Sequence, residues 1–233
     1  PTCRSTSNWF GTPCRFKCHC VYNNACDNNG VCSSGCEYGW FGPSCQYVDL
    51  VSTYSKSPTP SWVYDRPDTN CNPDQETVTI SLTSTFYFTW LRLHANVAVS
   101  SQDFKVQLML TNQIVTTCNN MYTSKIDDTT LDIHCLPGAF FEDIVISGNG
   151  VKSLCTVYVS GGRNVALGQN TKQTSTYDYH YSSLAVDGDR DPVFEDNSCA
   201  HTADHVAPTW TLTFGWPHVV NRYLLFNRNS ELT

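Results

Sequence analysis

Eight of the chain's 13 cysteines fall within its first 45 residues: Cys3, Cys14, Cys18, Cys20, Cys26, Cys32, Cys36 and Cys45. Thiols this crowded are either oxidised or metal-loaded, and either state restricts what the segment can become. The residues between them are Asn, Gly, Ser and aromatics with almost no aliphatics. Such a stretch lacks an apolar core of useful size, so cross-links must limit the freedom of its unfolded chain. Cys18-His19-Cys20 is ligand-like, but the C-x2-C knuckles of structural zinc sites are missing. Oxidation, and with it a secreted or extracellular location, is the favoured reading. The loops CRSTSNWFGTPC (3–14) and CEYGWFGPSC (36–45) each place Trp-Phe-Gly before the second cysteine, which marks an internal repeat.

From Cys18 the spacing is C-x-C-x5-C-x5-C-x3-C-x8-C. With the two Trp-Phe-Gly loops, it resembles epidermal-growth-factor-like modules of the laminin and multiple-EGF type. The resemblance implies the pairs Cys3–Cys14, Cys18–Cys26, Cys20–Cys32 and Cys36–Cys45; eight cysteines by themselves permit 105 connectivities. Cys71, Cys118, Cys135, Cys155 and Cys199 remain, so four can pair within the chain and one cannot.

Charged residues make up 15% and the net charge is −7. That balance disfavours nucleic acid, whose phosphates call for a Lys/Arg stripe. No apolar run approaches the ~20 residues that span a bilayer. The chain opens at Pro1-Thr2-Cys3, already inside a cysteine loop, as expected of a fragment or processed piece of an extracellular protein.

After Cys45 the patterning changes. Val78, Ile80 and Leu82 alternate with polar residues, as do Phe104, Val106, Leu108 and Leu110. Leu131 and Ile133, Ile144 and Ile146, then Cys155, Val157 and Val159 continue the rhythm. Period two in short runs between Asn/Gly/Pro/Asp clusters predicts half-buried strands of a sandwich or barrel. Around Gly161-Gly162 the pattern restarts. Ser52-Thr53-Tyr54 is echoed by Ser175-Thr176-Tyr177, and VTISLTSTFYFTWLRLHAN (78–96) by WTLTFGWPHVVNRYLLFNR (210–228). The expected organisation is all-β: a disulfide-rich segment 1–46, a sandwich over 47–162, and an incomplete second copy over 163–233. Cys71 and Cys155 are expected to tie a loop to the last strand, and Cys118 and Cys135 to bridge neighbouring strands. Cys199, matched by position to Cys71, is left unpaired in this chain.

The second copy carries Asn164-Val165-Ala166-Leu167-Gly168, Ala185-Val186-Asp187-Gly188-Asp189-Arg190-Asp191, Ser198-Cys199, His201 and Trp210. On these residues it resembles the F-type lectins (fucolectins), of the galactose-binding, discoidin-like β-sandwich superfamily. That resemblance implies fucose held by a His and an Arg 27 positions later, the separation of His201 and Arg228. A neutral imidazole exchanges hydrogen bonds with sugar hydroxyls, and a guanidinium offers several fixed donors. Phe194 stands at the family's position for the apolar platform. The Asp expected two residues after the Arg is Ser230. The resemblance also implies a structural calcium ion, with oxygens from Leu184, Asp187, Asp189 and Ser198 as part of its shell. In the first copy Pro73 and Asn96 take the places of His201 and Arg228, so that copy is expected to be a scaffold.

No enzyme motif emerges. His201 and His205 are four apart but lack the Glu of HExxH, and GxSxG, P-loop and GxGxxG patterns are absent. The expectation is an extracellular module that binds fucosylated glycans. The alternative is a matrix or receptor-ectodomain piece that contacts extracellular proteins and binds no sugar.

Overall fold

The computed structural model describes residues 8–11, 14–23, 25–65, 70–118, 121–136, 138–203 and 207–229. Cys3, His205 and Ser230 lie outside the described residues, so the expectations resting on them do too. The fold is all-β; among the described residues the one α-helix is Leu50–Tyr54, and the other helical segments are short 3-10 turns. Two compact units form: Pro1–Cys18 with Ala25–Gly30 and Asn164–Thr233, and His19–Asn24 with Val31–Arg163. The cysteine-rich segment is therefore shared between them.

The Trp-Phe-Gly repeat folds the same way twice. Strand β1 (Trp9–Phe10) pairs with β2 (Phe16–Lys17), and β3 (Trp40–Phe41) with β4 (Tyr47–Val48). The registers are equivalent, Phe10 opposite Phe16 and Phe41 opposite Tyr47. The glycine after each Trp-Phe is required. Gly11 and Gly42 hold φ of 73° and 76°, and a Cβ there would sit 2.8 Å from Phe16 and 2.9 Å from Tyr47. Cys18–Cys26, Cys20–Cys32 and Cys36–Cys45 are disulfides, and Cys14 is also disulfide-bonded. With Cys18 and Cys20 both oxidised, the Cys-His-Cys triplet has no thiolate to offer zinc.

Within the second unit, Phe41 is buried against Trp90, 4.8 Å between ring centroids, and Tyr158, at 5.0 Å. The turn thereby becomes part of the sandwich. Helix α1 (Leu50–Tyr54) follows, its first turn capped by the buried Asp49, whose carboxylate accepts from Val51 and Ser52 N–H. The same carboxylate accepts from Val159 N–H at 3.2 Å, joining the start of the sandwich to its final strand.

Nine strands build the sandwich. They are β5 (Ser55–Lys56), β6 (Thr77–Tyr87), β7 (Trp90–Ala95), β8 (Lys105–Leu110), β9 (Gln113–Thr117), β10 (Met121–Lys125), β11 (Thr130–Cys135), β12 (Phe140–Ser147) and β13 (Leu154–Val159). One antiparallel sheet has the order β5-β6-β12-β8-β9, the other β10-β11-β7-β13. The alternating residues point inward: Ile80, Leu82, Val106, Leu108, Ile144 and Ile146 from the first sheet, Leu91, Leu93, Ile133, Val157 and Val159 from the second. All are fully buried in one cluster, each contributing about 1.5–3 kcal/mol relative to exposure. Disulfide Cys71–Cys155 ties the loop before β6 to β13. Cys118–Cys135 forms as expected, but it does not bridge neighbouring strands. Cys118 directly follows β9, the edge strand of one sheet, and Cys135 lies on β11 of the other, so the bond staples the two layers.

The C-terminal part of the first unit is built differently. Its described regular strands are β14 (Asn170–Gln173) and β15 (Trp210–Thr213), an antiparallel pair with Gln173 opposite Trp210. Residues 214–229 contain no strand, although the sequence echo with 78–96 predicts a second one. Leu225 is 93% and Val219 86% exposed there, so the apolar face that drives β7 into a sheet has no partner among the described residues.

Candidate functional site

The site residues gather on three stretches of the C-terminal segment. β14 ends at Gln173, and the chain runs through Tyr177 to the buried His180. A short 3-10 turn, Phe194–Asp196, carries Phe194. Ser198 closes the loop around it, its hydroxyl donating to the Asp191 carbonyl at 2.7 Å and the Val193 carbonyl at 3.1 Å. Backbone bonds then join the stretches: His201 N–H donates to the His180 carbonyl at 3.1 Å, and Tyr177 N–H to the His201 carbonyl at 3.0 Å.

Phe194 is the hub. The His180 ring stacks on it, 4.1 Å between centroids and 8° between planes. His201 meets it edge-on at 5.4 Å, and Tyr177 lies 5.1 Å from His201. Arg228 completes the group with its guanidinium carbon 4.5 Å from the Phe194 centroid. Asn229 N–H donates to the Pro192 carbonyl, which holds the end of the chain against this loop. Arg190 over Phe226, at 4.7 Å, adds a second contact of the same kind. His201, Arg228 and Phe194, the residues the resemblance implies, thus lie together.

Their roles are not all those the resemblance implies. One face of Phe194 is taken by His180, and a guanidinium over the ring occupies the other. The exposed aromatic surface beside His201 belongs instead to Tyr177, 49% exposed. Tyr177 and His180 escaped the sequence reading, although the run Tyr177-Asp178-Tyr179-His180-Tyr181 is unusually dense in rings. His180 donates from Nδ1 to the Cys199 carbonyl at 2.9 Å, since a carbonyl can only accept, and this fixes its tautomer. The buried Nδ1 of His201 has no hydrogen-bond partner. Cys199 is a free, half-buried thiol.

The loop expected to hold calcium is a staircase of side-chain caps. Asp187 accepts from Asp189 N–H, Asp189 from Asp191 N–H, and Asp191 from Val193 N–H. Their oxygens are hard donors of the type calcium takes. The Lys17 ammonium donates to the Gly188 carbonyl at 3.0 Å, so the loop already carries a cation of the chain itself. Among the described residues, no three carboxylate or imidazole ligand atoms lie within 4.8 Å of one another. Leu184 N–H donates to the Tyr181 carbonyl.

No protein-family model matches the chain, and no curated protein matches it. Among solved structures it is similar to an F-lectin (fucolectin) from striped bass (Morone saxatilis) serum, at 17% identity and TM-score 0.34, covering 70% of this chain and 67% of that one. A Streptococcus pneumoniae fucose binding module shows 16% identity and TM-score 0.35 over 49% of this chain and 98% of its own. A family 32 CBM from Clostridium perfringens NanJ, solved in complex with galactose, shows 12% identity and TM-score 0.31 over 46% and 88%. At these identities and scores the similarities are remote.

Proposed function

We propose that this chain is a carbohydrate-binding module of an extracellular protein, and that the cluster Tyr177, His201 and Arg228 around Phe194 receives a fucose-type sugar. Three segments distant in sequence deliver an imidazole, a guanidinium and exposed aromatic surface to one place, and that convergence carries the reading. The chemistry suits a sugar. A guanidinium lying over a ring keeps its in-plane N–H donors free for hydroxyls. An imidazole beside it donates or accepts. Tyr177 offers a flat face to sugar C–H groups. Phe194 and His180 support the group from beneath. The disulfides are those of an oxidising compartment, where glycans are met. No helix of the described residues is long and apolar enough to cross a membrane.

The calcium reading rests on donor chemistry alone: the Asp187 carboxylate, the Leu184 and Asp189 backbone carbonyls, and the Ser198 hydroxyl or carbonyl would share the ion, with Lys17 displaced from Gly188. A second reading, a docking surface for an extracellular protein, is favoured by the exposed apolar residues Val219, Leu224, Leu225 and Phe226.

Titration calorimetry against L-fucose, galactose and glucose separates these readings. Fucose binding that weakens about ten-fold or more in Arg228→Ala, and also in His201→Ala, supports the sugar site. Absence of heat with all three sugars, calcium present, rejects it.

A further inference from the structure

We infer that Gln173 is the positioning residue of this cluster: one side-chain amide sets where both histidines stand, and the inference rests on the sugar-site reading only for its effect on affinity. Gln173 ends β14, and its Nε2 donates to the His180 carbonyl at 3.0 Å, the His201 carbonyl at 3.2 Å and the Thr176 hydroxyl at 3.0 Å. Two N–H hydrogens thereby serve three acceptors, two of them the backbone carbonyls of the residues whose rings flank Phe194.

The orientation of the amide is forced. His180 and His201 present carbonyl oxygens, which only accept, so a flipped amide would set oxygen against oxygen. The cost is visible on the other side, where the buried Oε1 has no hydrogen-bond partner. A desolvated acceptor without a donor is unfavourable. Its presence indicates that the three bonds from Nε2 outweigh that loss.

The sequence echo sharpens the point. Aligning Ser52-Thr53-Tyr54 with Ser175-Thr176-Tyr177 sets Gln173 opposite Leu50. Leu50 is fully buried in the apolar core of the sandwich. Where the first copy spends this position on packing, the second uses an amide that cross-ties the 177–180 and 199–201 stretches. Without it, His201 retains its direct bonds to the His180 carbonyl and from the Tyr177 N–H, but both carbonyls lose the donor that also ties them to the end of β14. The ring of His201 then wanders relative to Phe194 and Arg228.

The test compares the intact chain with Gln173→Met, which keeps the length and removes the donor, and Gln173→Glu, which keeps the shape and sets an oxygen where the donor was. The NMR readout is the ring-current shift that Phe194 imposes on the His201 ring protons, with exchange protection of the Tyr177 and His201 amides. Both variants are expected to lose the shift and the protection while the sandwich amides stay protected, and to weaken fucose binding about ten-fold or more. A Gln173→Met protein that keeps the His201 shift and both amides overturns the inference, whether or not the chain binds fucose. A wild-type chain that ignores fucose, with the shift still lost in both variants, sinks the sugar reading and leaves the positioning role standing.

Discussion

The sandwich and the C-terminal segment begin from similar sequence and solve the problem of order differently. Ser52-Thr53-Tyr54 is helical because Asp49 caps the turn and Leu50 and Val51 bury beneath it. Ser175-Thr176-Tyr177 is not helical. Lys172 occupies the capping position there, and an ammonium cannot accept the N–H groups that open a helix. In the sandwich, order comes from a continuous apolar cluster between two sheets. In the C-terminal segment only His180, Val186 and Ser198 are buried among residues 164–203 and 207–229, and side chain–backbone bonds do the fixing. Apolar burial yields a scaffold indifferent to which aliphatic fills each place. Polar ties yield a surface in which individual side chains hold individual positions, which is what recognition needs.

The contrast breaks most readily in the core. Ile144, fully buried at the centre of β12, is expected to cost about 2–5 kcal/mol when cut to Ala, because the sheets cannot collapse onto the cavity. Val186→Ala, the corresponding loss in the C-terminal segment, is expected to cost about 1–2 kcal/mol, since Val186 is buried outside the apolar cluster of the sandwich and Val→Ala removes fewer carbons than Ile→Ala. Denaturant unfolding, followed by exchange at amides of each region, measures both. Equal costs would mean that the C-terminal segment has an apolar core after all.

This difference also decides what was legible in the sequence. Val78, Ile80 and Leu82, and later Ile144 and Ile146, announce strands because a half-buried strand imposes a period of two. The Trp-Phe-Gly turns were legible as a repeat because Gly11 and Gly42 must adopt positive φ against a neighbouring ring. His201, Arg228 and Phe194 came from resemblance, and the structure brings them together. Polar ties leave no such trace. Gln173 and His180 act through backbone carbonyls of residues up to 28 positions away, and no local pattern encodes that reach. Nor did spacing reveal that the Cys118–Cys135 bond ties the end of β9 to the other sheet, which depends on where the chain crosses over between β9 and β10.

A smaller effect sharpens the comparison at Asp49, the sandwich's one buried carboxylate with a capping role. Burial pushes its pKa above the ordinary range, although Ser52, Val159 and Val51 all donate to it. The folded state therefore holds its proton more tightly than the unfolded chain. The stability this adds is fully present below the ordinary carboxylate pKa and fades as pH rises through the raised folded value. Asp49→Ala removes the cap and strands the Val159 N–H, at a cost of about 1–3 kcal/mol. Asp49→Asn cannot titrate, so the stability gap between wild type and this variant should narrow as pH rises through that window. A gap that stays constant or widens would show that the carboxylate is not held proton-rich by burial.

The smallest expected effect lies in the acidic loop. Lys17 has its ammonium on the Gly188 carbonyl, and its stem passes 3.3 Å from where a Gly188 Cβ would stand. Lys17→Met keeps most of the stem and deletes the charge, so the loss of stability should stay below about 1 kcal/mol. If the loop accepts calcium by exchanging it for this ammonium, the variant should bind calcium several-fold more tightly than the wild type, with a larger calcium-induced rise in melting temperature. Competition predicts that sign, because the ion no longer has to expel a tethered cation before it reaches Asp187 and Asp189. Calorimetry on the two proteins decides the matter: equal calcium affinities would place the ion elsewhere, and no heat from either would leave Lys17 as a plain structural tie.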